Sequence, residues 1–139
     1  GFAFGLPTAF LIAFNGCMLG AMLEIYASPG LGAELGGWLI IHGSTELFAI
    51  VIAGAAGFHI GRRVAFPGAK TRLTAAAEAG RTAATAMVGV VAMLTVAAVL
   101  EGVGRQVITD TTARYAIGIG VLILWLLFFY TPRQQRADG

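Results

Sequence analysis

Residues Trp38–Arg63 read WLIIHGSTELFAIVIAGAAGFHIGRR. The stretch is almost wholly apolar, yet His42, Ser44, Thr45 and Glu46 lie in its interior. As a helix rising about 1.5 Å per residue it is long enough to cross a bilayer core of about 30 Å. An ionisable side chain at that depth costs about 2.5–3.5 kcal/mol on insertion scales, so it faces other protein or a water-filled cavity. The rest of the chain must supply that shelter.

Two readings of this span stand side by side. In one the helix breaks near His42-Gly43: Ser44 or Thr45 caps a new start, and Glu46 sits at the positive end of its dipole. Gly36–His42 is then a short entering piece, and Ser44–Gly61 a main helix about 27 Å long. Broken helices are tolerated at membrane depth where they are buried in protein or line a cavity. In the other reading the helix is continuous, and His42 and Glu46 lie one turn apart on one face. Further along, Ala49, Ala53, Gly57 and Gly61 recur every four residues. At about 100° per residue, Ala53 and Gly57 fall within about 20° of Glu46. A neighbouring helix laid in this lane of small residues would cover the carboxylate.

Composition agrees with a membrane setting. Of 139 residues, 58% are hydrophobic and 12% charged; soluble domains carry about 25% charged residues. The net charge is only +2, and no basic patch interleaved with aromatics is present, which argues against nucleic acid as a partner. The single cysteine, Cys17, lies in an apolar run and reads as a small buried hydrophobe. The opening GFAFGLPTAF lacks both an initiator Met and a basic n-region, so an upstream segment is expected.

Working outward, a first span runs from about Pro7 to Tyr26. Pro7 suits the first helical turn. Gly16 and Gly20 form a G-x-x-x-G pair that lets another helix approach closely. Asn15 sits mid-span and needs a hydrogen-bond partner there, while Glu24 and Tyr26 fall at interface depth. Ala27–Gly37 (ASPGLGAELGG) reads as a breaker-rich loop with a Pro29-Gly30 turn. The central span covers about residues 36–62. Arg62, Arg63, Lys70, Arg72 and Arg81 then form a basic connection with Glu78 as its only acid. By the positive-inside bias this connection is cytoplasmic, and its cations can also attract anionic headgroups. His59, beside Arg62, reads as an interface residue. A third span, about Ala83 to Val103, ends near Glu101. That carboxylate either pairs with Arg105 one turn on or turns inward to the level of His42 and Glu46. After a polar turn over Gly104–Thr112, a fourth span runs from about Ala113 to Tyr130. Its bulky end looks lipid-facing, with Trp125 and Tyr130 as an interfacial belt and Arg133 and Arg136 behind them.

The expected architecture is an all-α, polytopic transmembrane helix bundle of about four spans in one domain. Asn15, His42, Glu46 and Glu101 are its candidate polar cluster. Three chemistries fit such a set. It can be a hydrogen-bonded network that fixes packing, a site that binds or relays protons or cations, or a metal site. The last ranks lowest, because H-x-x-x-E offers two ligands and lacks the second His of H-E-x-x-H. No metal, cofactor or enzymatic activity is therefore expected. No nucleophile–base pairing in a recognisable context and no phosphate-cradling loop is present.

Three stretches together resemble the stage II sporulation protein M family: FNGCMLGAMLEIYASPGLG (Phe14–Gly32), IIHGSTELFAIVIAGAAGFHIGRR (Ile40–Arg63) and LEG (Leu100–Gly102). The central stretch is the specific part. Carried over by position, the motif residues are Asn15, Gly16, Gly20, His42, Gly43, Glu46, Gly54, Gly57 and Glu101, with Gly54 joining the helix-packing set. The resemblance implies a multi-span inner-membrane protein of bacteria or archaea, preceded in relatives by a cytoplasmic portion and a further hydrophobic helix. It also implies a non-enzymatic scaffold or assembly subunit for other membrane or envelope proteins. The helix-packing motifs themselves leave a homo-oligomer open, since they do not separate contacts within a chain from contacts between chains. The alternative is a channel or transporter for protons, ions or a small solute past His42 and Glu46.

Overall fold

The computed structural model describes residues 2–27 and 30–131, without the Arg105 side chain. The described residues form α1 (Leu6–Ala27), α2 (Gly32–Ala65), α3 (Arg72–Val99), a π-helical turn (Leu100–Gly104), the short α4 (Arg105–Val107) and α5 (Thr111–Tyr130). Four of the helices, with the π turn continuing α3, are long and apolar enough to cross a membrane. The protein is an all-α helix bundle of the multi-pass membrane type.

The central span is continuous. Helix α2 passes through His42-Gly43 without a break, and neither Ser44 nor Thr45 caps a helix. It also starts earlier than its glycines suggest. Gly32–Gly37, read above as loop, is helical. The reason is packing: a Cβ on Gly36 would strike the Tyr115 hydroxyl, and one on Gly37 would lie 2.8 Å from Thr111 Cγ2. These glycines admit α5 rather than end a helix. The Pro29 half of the expected turn lies outside the described residues.

Helix α2 is the hub. Helix α3 runs antiparallel along it, burying Ala56, Ile60 and Val64 against Ala76, Ala79 and Ala83 at one end. Ala49 packs with Val90 and Met93 farther along. Helix α5 runs parallel to α2, with Tyr115 Oη donating to the Ala33 carbonyl at 3.0 Å and Trp125 Nε1 donating to Thr45 Oγ1 at 3.0 Å. Helix α1 is antiparallel and peripheral, with no buried residue of its own. Its start meets the far end of α2: an added Cβ would lie 2.6 Å from Ile12 Cδ1 at Gly54, 2.5 Å from Thr8 Oγ1 at Gly57 and 2.6 Å from the Gly5 amide nitrogen at Gly61.

The lane of small residues on α2 therefore serves two neighbours. Ala49 packs against α3, Gly57 and Gly61 receive α1, and half-buried Ala53 lies between. A four-residue repeat advances about 40° per step on a helix, so three steps carry the lane about 120° around α2. One straight helix cannot follow it. The expectation that a single neighbour fills the lane and covers Glu46 is corrected accordingly.

Two caps begin helices where the chain re-enters. Thr71 Oγ1 accepts from the Thr74 amide at 3.2 Å, and Asp110 accepts from the Ala113 amide at 2.7 Å. The basic connection is solvent- or headgroup-exposed at Arg62, Arg63, Lys70, Arg72 and Arg81. Lys70 there pairs with Glu78 at 2.6 Å, and Arg72 lies 5.6 Å from the Phe4 ring centroid.

Glycine positions divide into filled and open. A Cβ on Gly118 would collide with the Ile40 carbonyl, whereas one on Gly16 meets nothing within 4 Å. Gly118→Val is expected to lower the stability of detergent-solubilised protein by at least the 1–3 kcal/mol typical of overpacking. Gly16→Ala is expected to be neutral or stabilising by up to about 1 kcal/mol. Thermal or denaturant unfolding of the two variants checks the contrast.

Candidate functional site

His42 lies at the end of the first third of α2 and is only 3% exposed. Trp38, one turn earlier, meets its ring edge-on, with centroids 5.4 Å apart and planes at 85°. Glu46, one turn later on the same face, is half-buried. These two positions follow directly from the unbroken helix.

The third member comes from the π turn. There the α-helical ladder widens into a single π turn, a feature found frequently at functional sites. The turn presents Glu101, also half-buried, to α2. A ring nitrogen of His42 and a carboxylate oxygen from each of Glu46 and Glu101 lie within 4.8 Å of one another. Of the two sequence readings of Glu101, the inward one brings it to the cluster; the Arg105 side chain lies outside the described residues. His42 Nδ1 is buried and has no hydrogen-bond partner among the described residues.

A second polar layer lies on the adjoining face of α2. Ser44 Oγ donates to the Gly118 carbonyl at 3.3 Å. Thr45, fully buried, accepts the Trp125 indole N–H. The sequence reading placed Trp125 in an interfacial belt, and the structure corrects this: its polar edge is satisfied inside the bundle. The signal was available, because Tyr115, Gly118, Leu122, Trp125 and Phe129 repeat at the three- and four-residue spacing of a helix-facing stripe.

Asn15 does not join the cluster. Its side-chain amide donates to the Leu11 carbonyl of its own helix at 2.8 Å, and the residue is exposed beside a shallow groove that Thr8, Ala53 and Gly54 help to line. Helical backbone within reach satisfies the amide locally, so mid-span polarity alone did not imply an interhelical partner. Gly16 and Gly20, read as a close-approach pair, are open: an added Cβ at either meets nothing within 4 Å among the described residues. Cys17, read as buried, is exposed on this peripheral helix.

The family model for stage II sporulation protein M matches residues 1–104. The chain belongs to the stage II sporulation protein M family. No curated protein and no solved structure matches it. The matched stretch contains all three members of the cluster and stops at the last residue of the π turn. Helix α5 lies beyond the match, whereas its seat on α2 lies within it.

The Thr45–Trp125 bond carries a measurable expectation. Interhelical hydrogen bonds in membrane proteins average about 0.6 kcal/mol and reach about 1.7. A double-mutant cycle with Thr45→Val and Trp125→Phe is expected to return a coupling of that size. A coupling near zero would show that the two side chains stabilise the bundle only by filling space.

Proposed function

We propose that the protein is a non-enzymatic scaffold or assembly subunit of the cytoplasmic membrane. Its α2–α3–α5 core is a rigid frame, and its α1 surface is the contact for other membrane proteins. The observation that carries this reading is the contrast on α1. Thr8 and Ile12 point into α2, while Gly16 and Gly20 have open space where a Cβ would be. By helical angle these glycines continue the Thr8–Ile12 lane, about 40° and 80° round from Ile12, so the lane turns progressively off the α2 side along α1. A G-x-x-x-G strip with no neighbour at either glycine among the described residues suits close approach by another span, because helix association in lipid depends on tight packing rather than on hydrophobic burial.

Gly20→Leu separates assembly from folding. The isolated chain is expected to keep its stability within about 0.5 kcal/mol, as substitutions away from contacts do. The larger assembly extracted from membranes under mild detergent is expected to fall to the size of the single chain. A Gly20→Leu protein that assembles like wild type removes α1 as the contact.

A second reading has its own support, the meeting of three titratable groups inside the bundle. Clusters of that kind also occur on proton and cation paths. If this protein conducts, proteoliposomes will show proton or cation flux that a folded Glu46→Gln variant loses. Flux indistinguishable from empty vesicles leaves the scaffold reading in place.

A further inference from the structure

We propose that His42, Glu46 and Glu101 form a binding site for one divalent transition-metal ion, with zinc as the reference ligand. The argument begins with donor chemistry. One imidazole and two carboxylates make a mixed nitrogen–oxygen set suited to zinc or iron(II), whereas calcium and magnesium take oxygen donors. The three donor atoms already lie within 4.8 Å of one another. Ligands about 2.0–2.2 Å from a shared ion stand some 3–4 Å apart, so modest side-chain rotation closes the set.

The independent observation is His42 itself. It is 3% exposed, its Nδ1 is buried without a hydrogen-bond partner among the described residues, and its ring reaches both carboxylates. An unpaired buried nitrogen costs about 1–3 kcal/mol. Metal ligation through either ring nitrogen is a use for this imidazole that packing alone does not supply. The π turn adds the third donor. The inference goes beyond the scaffold reading and does not depend on it.

The test uses the full chain in detergent, purified without a histidine tag, stripped with chelator, loaded with Zn2+ and desalted. Metal content and zinc-edge X-ray absorption are then measured. The chain has two histidines, His42 and His59. His59→Gln therefore leaves His42 as the sole imidazole. The expected result is about one Zn2+ per folded chain, with imidazole scattering retained in His59→Gln and with affinity at least tenfold weaker in Glu101→Gln. Glu78→Gln, an exposed carboxylate outside the cluster, is expected to bind like wild type. Helical circular dichroism and a single elution peak establish folding. Substoichiometric zinc in folded wild type, or bound zinc without imidazole scattering in His59→Gln, overturns the proposal. So does affinity unchanged in folded Glu101→Gln. Should Glu101→Gln fail to fold, stoichiometry and scattering in His59→Gln decide the matter alone.

Discussion

The structure turns on a single constraint: polar groups placed in hydrocarbon must be answered from within the protein. Helix α2 carries His42, Ser44, Thr45 and Glu46 within little more than one turn, and two neighbours meet them from two sides. Helix α5 supplies the Gly118 carbonyl and the Trp125 indole to the hydroxyls. The turn after α3 supplies Glu101 beside His42 and Glu46. A break in α2 at His42-Gly43 would have added unsatisfied backbone groups to that demand. An unbroken helix bonds its own backbone internally, leaving only side chains for its neighbours to satisfy.

The neighbours can reach those side chains because α2 is lined with small residues, and the sides differ in use. Toward α5 the approach is so close that Gly118 lies against the Ile40 carbonyl. Toward α3 the contact is alanine on alanine, at Ala56, Ala76, Ala79 and Ala83. Toward α1 it reaches backbone on backbone at Gly61 and Gly5, where Gly5 takes a φ of 81° that a side chain would resist. Lipid is as apolar as leucine, so these helices gain by van der Waals contact and hydrogen bonding rather than by leaving water. On α1 such contact is made at the first turns, whereas an added Cβ at Gly16 or Gly20 meets nothing within 4 Å among the described residues.

Much of this was legible in the sequence because it depends on period and composition alone. Four apolar spans, the basic connection, and the shared face of His42 and Glu46 follow from hydropathy, charge placement and 100° per residue. What escaped depends on which neighbour a residue meets. Gly36 and Gly37 resemble a loop until Tyr115 and Thr111 are placed against them. Asn15 resembles a cluster member until its amide finds the Leu11 carbonyl. Trp125 has the composition of a belt residue and the position of a core donor. Glu101 was ambiguous for a deeper reason: its direction is set by a π turn, and the helical angle used to place every other residue does not hold across one.

That turn also decides how the cluster can respond to a change in its charge. His42 and Glu46 are fixed to one another by a regular helix whose neighbours interlock with it on three sides, so their spacing cannot alter without unseating α1, α3 or α5. Glu101 sits on five residues of wider helix, followed by the three of α4 and then the Asp110 cap. Adjustment therefore falls on the π turn, and the next long element along the chain is α5. Through Tyr115 and Trp125, α5 is bonded back to α2 on either side of His42, at Ala33 and at Thr45. The acid that completes the cluster and the helix that seals the adjoining face are thus joined by a short connection. A protein with this layout holds its polar centre and its helix packing in one register, because neither can shift far without pulling on the other.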